Sequence, residues 1–299
     1  MQRGLRRRPG IRRAGDLAEL VRLPAVLSVP GDVLVGVAAS GQLGNVGRTA
    51  RLVGSSSLMY LAGMALNDYA DREIDAVERP SRPIPSGRIS PEFALGFAGA
   101  LTAGSLALAV SADGRDALAV AWPLAAAVWG YDLYGKSTPA ASLSMAACRG
   151  LDVIMGSGTR DAVAALPAAA VVTAHITVVT EVSRQEVTGG DASVSKRALA
   201  GTVAVASASA LLSQRAPKLA RVAALGLAGA YGAFVGRAHV DAIEDPTPAR
   251  LQKSVGAGIM GLMPLEAGLL AGSGSVLPAA GVAALFPLAR KMSRRRKVT

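Results

Sequence analysis

The sequence predicts an all-α fold, a polytopic transmembrane helical bundle of nine or ten spans, on three observations. Hydrophobic residues make up 51% of the 299 and only 18% are charged, with a mean hydropathy of +0.37, which departs from an ordinary soluble domain. Apolar runs near membrane-crossing length recur along the whole chain. Aromatic residues are scarce, at 4%, while Ala, Gly, Val and Leu dominate, and small residues let membrane helices approach closely.

The runs lie at about 23–40, 51–69, 91–111, 116–134, 140–158, 161–182, 197–213, 217–239, 255–272 and 275–290. Pro24, Pro30 and Gly31, beside Asp32, predict a distorted first helix. The arginines before it (Arg3, Arg6, Arg7, Arg8, Arg12, Arg13) are placed like a signal-peptide n-region, but no convincing small-residue cleavage site follows. That favours an uncleaved first helix. Gly272-Ser273-Gly274 divides the last two runs, so nine or ten depends on counting them separately.

Charge favours ten. With the N-terminus inside and ten spans, 24 of the 32 Lys and Arg fall on the inner side and seven on the outer, with Arg149 within a span. Nine spans would leave the basic tail outside, against the positive-inside rule. The expected organisation is a basic cytoplasmic segment 1–22, a transmembrane domain 23–290 and a basic cytoplasmic tail 291–299, in the cell membrane. The net charge of +11 would suggest nucleic acid in a soluble protein. Its clustering between apolar runs points instead to topology and anionic membrane lipid, so no nucleic-acid partner is expected. The lone Cys148 lies in an apolar run and predicts a core residue.

Chemistry concentrates in residues 67–90, NDYADREIDAVERPSRPIPSGRIS, between two apolar runs. If the preceding helix continues, Asn67, Asp71 and Asp75 fall at i, i+4 and i+8 on one stripe, with Asp68 beside them. Oxygen-only ligands on one face suit a hard cation such as Mg2+, which keeps waters and bridges to substrate phosphates. Arg79, Arg82 and Arg88 would donate to the same phosphates. The competing reading is a solvated charged loop.

At these residues the chain resembles the UbiA superfamily of intramembrane prenyltransferases, and most closely its EboC-like branch. The signature NDxxDxxxD followed by RxxRPxPxG is matched by Asn67, Asp68, Asp71, Asp75, Arg79, Arg82, Pro83, Pro85 and Gly87. The resemblance implies a helical membrane enzyme that binds an isoprenyl diphosphate through Mg2+ and transfers the prenyl group to a lipophilic acceptor, expected to be aromatic. It also implies nine helices, against the charge count.

The family's second acidic signature corresponds here to TEVSRQEVTGGDASVSKR, and the match is degraded. Aligning Glu181 with its first position puts Arg184 and Thr188 at later ones. Either Glu181 with Glu186 or Asp191 holds a second Mg2+, the chain turning at Gly189-Gly190, or Arg184 replaces part of that charge on the diphosphate; a solvated loop is the third reading. YDLYGK resembles the segment that ends the family's fourth helix, with Asp132 and Gly135 departing from it. The resemblance implies that Lys136 contacts diphosphate and that Tyr131 offers its ring to an allylic cation; interfacial anchoring is the alternative. The implied catalytic set is Asp71, Asp75, Lys136 and Tyr131.

Asp32, Arg149, Asp152, His175 and Glu266 lie within apolar runs, where ionisable groups are costly and face the bundle interior. Arg149 and Asp152, at i and i+3, are expected to pair, and His175 is placed to line an acceptor pocket. Two rival enzyme classes fit poorly: the DGxxAR pattern of CDP-alcohol phosphotransferases is absent, and the apolar runs argue against a soluble isoprenoid synthase. A non-catalytic membrane protein that binds or helps transport an isoprenoid remains the alternative.

Overall fold

The computed structural model describes residues 14–296 apart from 187, 188 and 190. Arg3, Arg6, Arg7, Arg8, Arg12, Arg13, Thr188, Gly190 and Lys297 therefore lie outside the described residues, as do the side chains of Arg294, Arg295 and Arg296. No strand occurs among the described residues. The helices are α1 (Ala14–Leu20), α2 (Pro30–Ala39), α3 (Val46–Ala70), α4 (Arg72–Glu78), α5 (Pro91–Asp113) and α6 (Leu118–Leu133). They continue with α7 (Ala141–Ser157), α8 (Ala162–Ser183), α9 (Ala192–Leu212), α10 (Lys218–Glu244), α11 (Pro248–Gly272) and α12 (Val276–Arg296).

Local chemistry sets these boundaries. Asn45 opens α3 by accepting from the Arg48 amide at 3.1 Å, and Ser90 opens α5 by accepting from Phe93 at 3.2 Å, each satisfying an otherwise orphaned donor. Gly114 and Gly158 end α5 and α7 with φ of 71° and 77°, a backbone that favours glycine. The first run is broken as its prolines suggest: the 3-10 segment Leu23–Ser28 precedes α2, and Pro30 begins α2, where its missing N–H is harmless.

Among the described residues, four stretches are long and apolar enough to cross a membrane: Pro91–Leu133, Ala162–Ser183, Lys218–Glu244 and Pro248–Gly272. The bent pair Ala14–Leu20 and Ala25–Ala39 would make a fifth. Pro91–Leu133 is not one long rod. Gly114 turns the chain, and Trp129 Nε1 on α6 donates to Thr102 Oγ1 on α5 at 3.1 Å, so the two helices fold back as a hairpin. α11 is the central helix, with 72% of its apolar window inside the bundle. α2 and α7 pack backbone to backbone, because a Cβ at Gly36 would strike the Val153 carbonyl and one at Gly156 the Val33 carbonyl.

One departure shapes the site. α3 does not run unbroken through Asp75; it ends at Ala70, and Asp71 sits at φ −85°, ψ 3° before α4 begins. The i to i−4 ladder nevertheless persists, with the Asp71 amide 2.9 Å from the Asn67 carbonyl and the Asp75 amide 2.8 Å from that of Asp71. The stripe survives the bend.

Candidate functional site

The C-terminal end of α3, the loop after α4 and the α6–α7 turn meet at one end of the bundle. Asp68 and Asp75 are buried there, 3% and 1% exposed, and carboxylates so placed need compensation. Arg82 Nη1 supplies it to both, at 3.1 Å from Asp68 and 2.6 Å from Asp75. Arg79 adds a contact of 3.4 Å to Asp75. Lys136 Nζ lies 3.0 Å from Asp71 and 3.4 Å from Asp132.

Two members of the cluster were not singled out from sequence. Arg22 Nη2 donates to Asn67 Oδ1 at 3.1 Å and to Asp68 at 3.0 Å. It does so from a left-handed backbone, φ 47°, a conformation uncommon for a non-glycine residue. Asp132 is buried and accepts from Asn67 Nδ2 at 3.3 Å. Its spacing of four from Lys136 on a helical segment was the available signal.

Arg88 departs from expectation. Its guanidinium is held by Asp16 at 2.7 Å and by Glu19 at 2.8 and 3.0 Å, which fastens α1 to the loop rather than facing the carboxylates of the cluster. The hydrogen bonds it donates to Glu19 and Asp16, with the negative charges of both, push its pKa further up.

The second acidic stretch assembles only in part. Arg184 donates to the Thr138 carbonyl at 3.1 Å, joining the end of α8 to the α6–α7 turn. Glu186 is half-buried; burial raises its carboxyl pKa, and the charge of Arg79 opposes the shift. Glu181 is exposed on the last turn of α8. Asp191 is exposed at the start of α9, where Ser193 holds its carboxyl below the usual range. Among the described residues, neither Glu181 nor Asp191 forms an ion pair with the first cluster.

The donor set suits a hard cation. Asn67, Asp68, Asp71, Asp75 and Asp132 offer only oxygens as potential ligands, and Asp71, half-buried and paired to Lys136 through Oδ1 alone, is the most open of the carboxylates. Among the described residues, no three acidic, His or Cys side chains form a ready cage. Mg2+ needs only one or two carboxylates when waters and phosphates complete its shell, so the residues fit a cation that arrives with its substrate.

Next to the cluster a cavity of about 100 Å3 lies between α3, α6 and α7, lined by Met59, Met64, Val128, Tyr131 and Asp132, the last of which accepts from Asn67. Two expectations need correcting here. Arg149 pairs with Asp32 at 2.7 Å and Glu266 at 3.7 Å, while Asp152 accepts from Ser56; α2 and α11 bring stronger partners to Arg149 than its own helix does. His175 lies outside this cavity, bridging Tyr231 Oη at 2.8 Å and the Gly258 carbonyl at 3.0 Å.

Comparison with known proteins agrees with this architecture. Residues 32–252 match the model of the UbiA prenyltransferase family. A digeranylgeranylglyceryl phosphate synthase of Halobacterium salinarum is 34% identical over 135 residues, covering 45% of this chain and 49% of that protein. The chain spans about half or less of the curated relatives it matches. A solved digeranylgeranylglyceryl phosphate synthase structure superposes with a TM-score of 0.62 at 18% identity, over 87% of this chain and 98% of the other. An Archaeoglobus fulgidus UbiA homolog bound to GPP and Mg2+ gives a TM-score of 0.55 at 13% identity, over 85% and 99%. At these identities the two structures show a shared fold.

Proposed function

The chain belongs to the UbiA prenyltransferase family, a multi-pass membrane protein, and on that premise we propose that it transfers an isoprenyl group from its diphosphate to a lipophilic acceptor. The observation that carries this reading is the cluster of Asn67, Asp68, Asp71 and Asp75, faced by Arg22, Arg79, Arg82 and Lys136 and joined to an apolar cavity through Asp132, which lines that cavity and accepts from Asn67. We further propose ten spans, the domain limits 23–290 and both termini on the cytoplasmic side of the cell membrane.

Asn67, Asp68, Asp71 and Asp75 would hold Mg2+, which supplies positive charge to the departing diphosphate. Arg79, Arg82 and Lys136 donate to its oxygens, and Arg184 approaches from the α8 end. Bond cleavage leaves an allylic cation beside the cavity, where the Tyr131 ring can stabilise it and the apolar walls exclude water. Glu186, beside Arg79, is the member of the second acidic stretch best placed to contribute; Glu181 and Asp191 would have to move to ligate a second cation.

For the acceptor, the relatives' name implies an oxygen of glyceryl phosphate, and this supports an alcohol over an aromatic ring. A second reading, a protein that binds or helps transport an isoprenoid without turnover, draws support from the exposed position of Glu181 and the local role of Asp191. Purified protein given geranyl diphosphate, Mg2+ and either a prenylated glyceryl phosphate or an aromatic acceptor separates the readings. Diphosphate release that depends on acceptor and is lost in Asp71→Ala supports transfer. Binding without release by any acceptor supports the second.

A further inference from the structure

Inside the bundle, three carboxyl groups share one cation. Asp32 on α2 and Glu266 on α11 are fully buried, and Asp152 on α7 nearly so. Arg149 is the guanidinium among them. Its Nε lies 2.7 Å from Asp32 Oδ2 and its Nη2 3.7 Å from Glu266 Oε1. Nη2 also donates to the Ser28 carbonyl at 2.7 Å. Among the described residues, no ion pair joins this group to Asn67, Asp68, Asp71 or Asp75. Were all three carboxyls ionised, one guanidinium would leave two negative charges uncompensated within the spans. A buried group in that position neutralises instead.

The packing says which group is neutral. A Cβ at Gly31 would collide with both carboxyl oxygens of Glu266, so that carboxyl lies flat against the backbone at the start of α2. No donor reaches either Glu266 oxygen or either Asp32 oxygen in hydrogen-bonding geometry, yet the two carboxyls lie within hydrogen-bonding reach of each other. Two carboxylates are acceptors only; one proton makes one of them a donor. Asp32 is the nearer to the guanidinium and keeps its charge, which leaves the proton on Glu266. Asp152 is placed differently: it accepts from Ser56 and borders the cavity, where an occupant can satisfy its free Oδ1. Other titratable groups on helices packed against α11 or Arg149 are committed elsewhere. His175 bonds Tyr231 and the Gly258 carbonyl, His239 bonds Ser254 at 2.7 Å, Arg290 lies over Phe234 and Phe286, and Tyr60 of α3 lines the cavity.

We propose that Asp32 and Glu266 form a proton-binding site inside the membrane-spanning bundle, in which Glu266 is a carboxylic acid that donates to ionised Asp32, itself paired with Arg149. The proton is the partner that lets one guanidinium serve two carboxyls, and it ties α2 and α11 to α7. A metal ion in its place would need more ligands than these two carboxyls, and among the described residues no three acidic, His or Cys side chains form a cage here. The site stands apart from the transfer reading, since it involves none of the residues placed on the diphosphate.

Infrared spectroscopy of the full chain in lipid nanodiscs tests it at pH 7, where an ordinary glutamate, with a pKa of about 4.3, is ionised. A carboxylic-acid carbonyl band is expected, slow to shift in D2O because the group is sealed. It should be missing from Glu266→Gln and kept in Asp152→Asn. Cell-free synthesis with 13C-labelled glutamate should move the same band without any substitution. Melting temperatures give a second reading. Glu266→Gln, which mimics the neutral acid, should melt near the wild type, and Asp32→Asn, which strips Arg149 of its counter-charge, about ten degrees lower. Should both variants fail to fold, the labelled band decides. The proposal is overturned by the absence of a carboxylic-acid band at pH 7, by a band that glutamate labelling leaves in place or that Asp152→Asn removes, or by a larger melting loss in Glu266→Gln than in Asp32→Asn. A wild-type melting temperature that rises with Na+ and stops rising in Glu266→Gln would assign the site to a metal cation and overturn it too.

Discussion

Lys136 Nζ lies 3.0 Å from Asp71 Oδ1, so the α6–α7 turn closes directly onto the residue at which α3 bends into α4. The ammonium balances the most open carboxylate of the cluster, and a phosphate–metal pair could take over both partners. Lys136→Ala is therefore expected to weaken isoprenyl diphosphate affinity, and Lys136→Arg to restore only part of it, because a planar guanidinium does not replace a point charge at this distance. Calorimetric titration with geranyl diphosphate and Mg2+ measures both.

Arg82 bridges two buried carboxylates, Asp68 and Asp75. Arg82→Ala leaves both short of charge and is expected to destabilise the fold by about 3 kcal/mol, the scale for removing one partner of a buried pair. Adding Asp75→Asn should recover part of that loss. Melting temperatures of the two single variants and the double variant give the coupling.

Arg88 should behave differently. Its partners are Asp16 and Glu19, so Arg88→Ala is expected to loosen α1, with a stability loss of about 1 kcal/mol or less for these partly exposed pairs. Geranyl diphosphate affinity should change far less than in Arg82→Ala. Limited proteolysis near residue 20 and the same titration separate the two effects.

The α2–α7 contact gives a prediction free of charge. Gly36→Ala places a methyl group against the Val153 carbonyl, and backbone cannot yield as a side chain can. The expected loss is about 1–3 kcal/mol, the usual overpacking range, read as a lower melting temperature. Gly99→Ala has nothing within 4 Å of its added Cβ and should leave stability at or slightly above wild type, since alanine favours a helix interior.

The helical class and most helix positions were legible because apolar runs, caps and glycine breaks are local signals. The first acidic motif was legible too, since its spacing placed Asn67, Asp71 and Asp75 on one stripe that survives the bend at Asp71. Arg22 was not, because its link to Asn67 and Asp68 spans about 45 residues and depends on a left-handed backbone. Asp132 was visible only as a departure from a pattern. Arg149 was assigned to its neighbour Asp152 because sequence shows spacing within one helix, whereas α2 and α11 supply Asp32 and Glu266 in three dimensions. The second acidic stretch stayed ambiguous for the same reason: whether Glu181 or Glu186 faces the cluster depends on how the end of α8 packs.

The central claim is that a cation held by the Asn67–Asp71 stripe grips the diphosphate. Geranyl diphosphate binding, titrated with and without Mg2+ in wild type and Asp71→Ala, tests it most directly. The account predicts that Mg2+ tightens binding to the wild type by at least about tenfold, from the several kcal/mol available to such a charge contact, and that this gain disappears in Asp71→Ala. Affinity indifferent to Mg2+ in the wild type, or a gain retained in full by the variant, would contradict it.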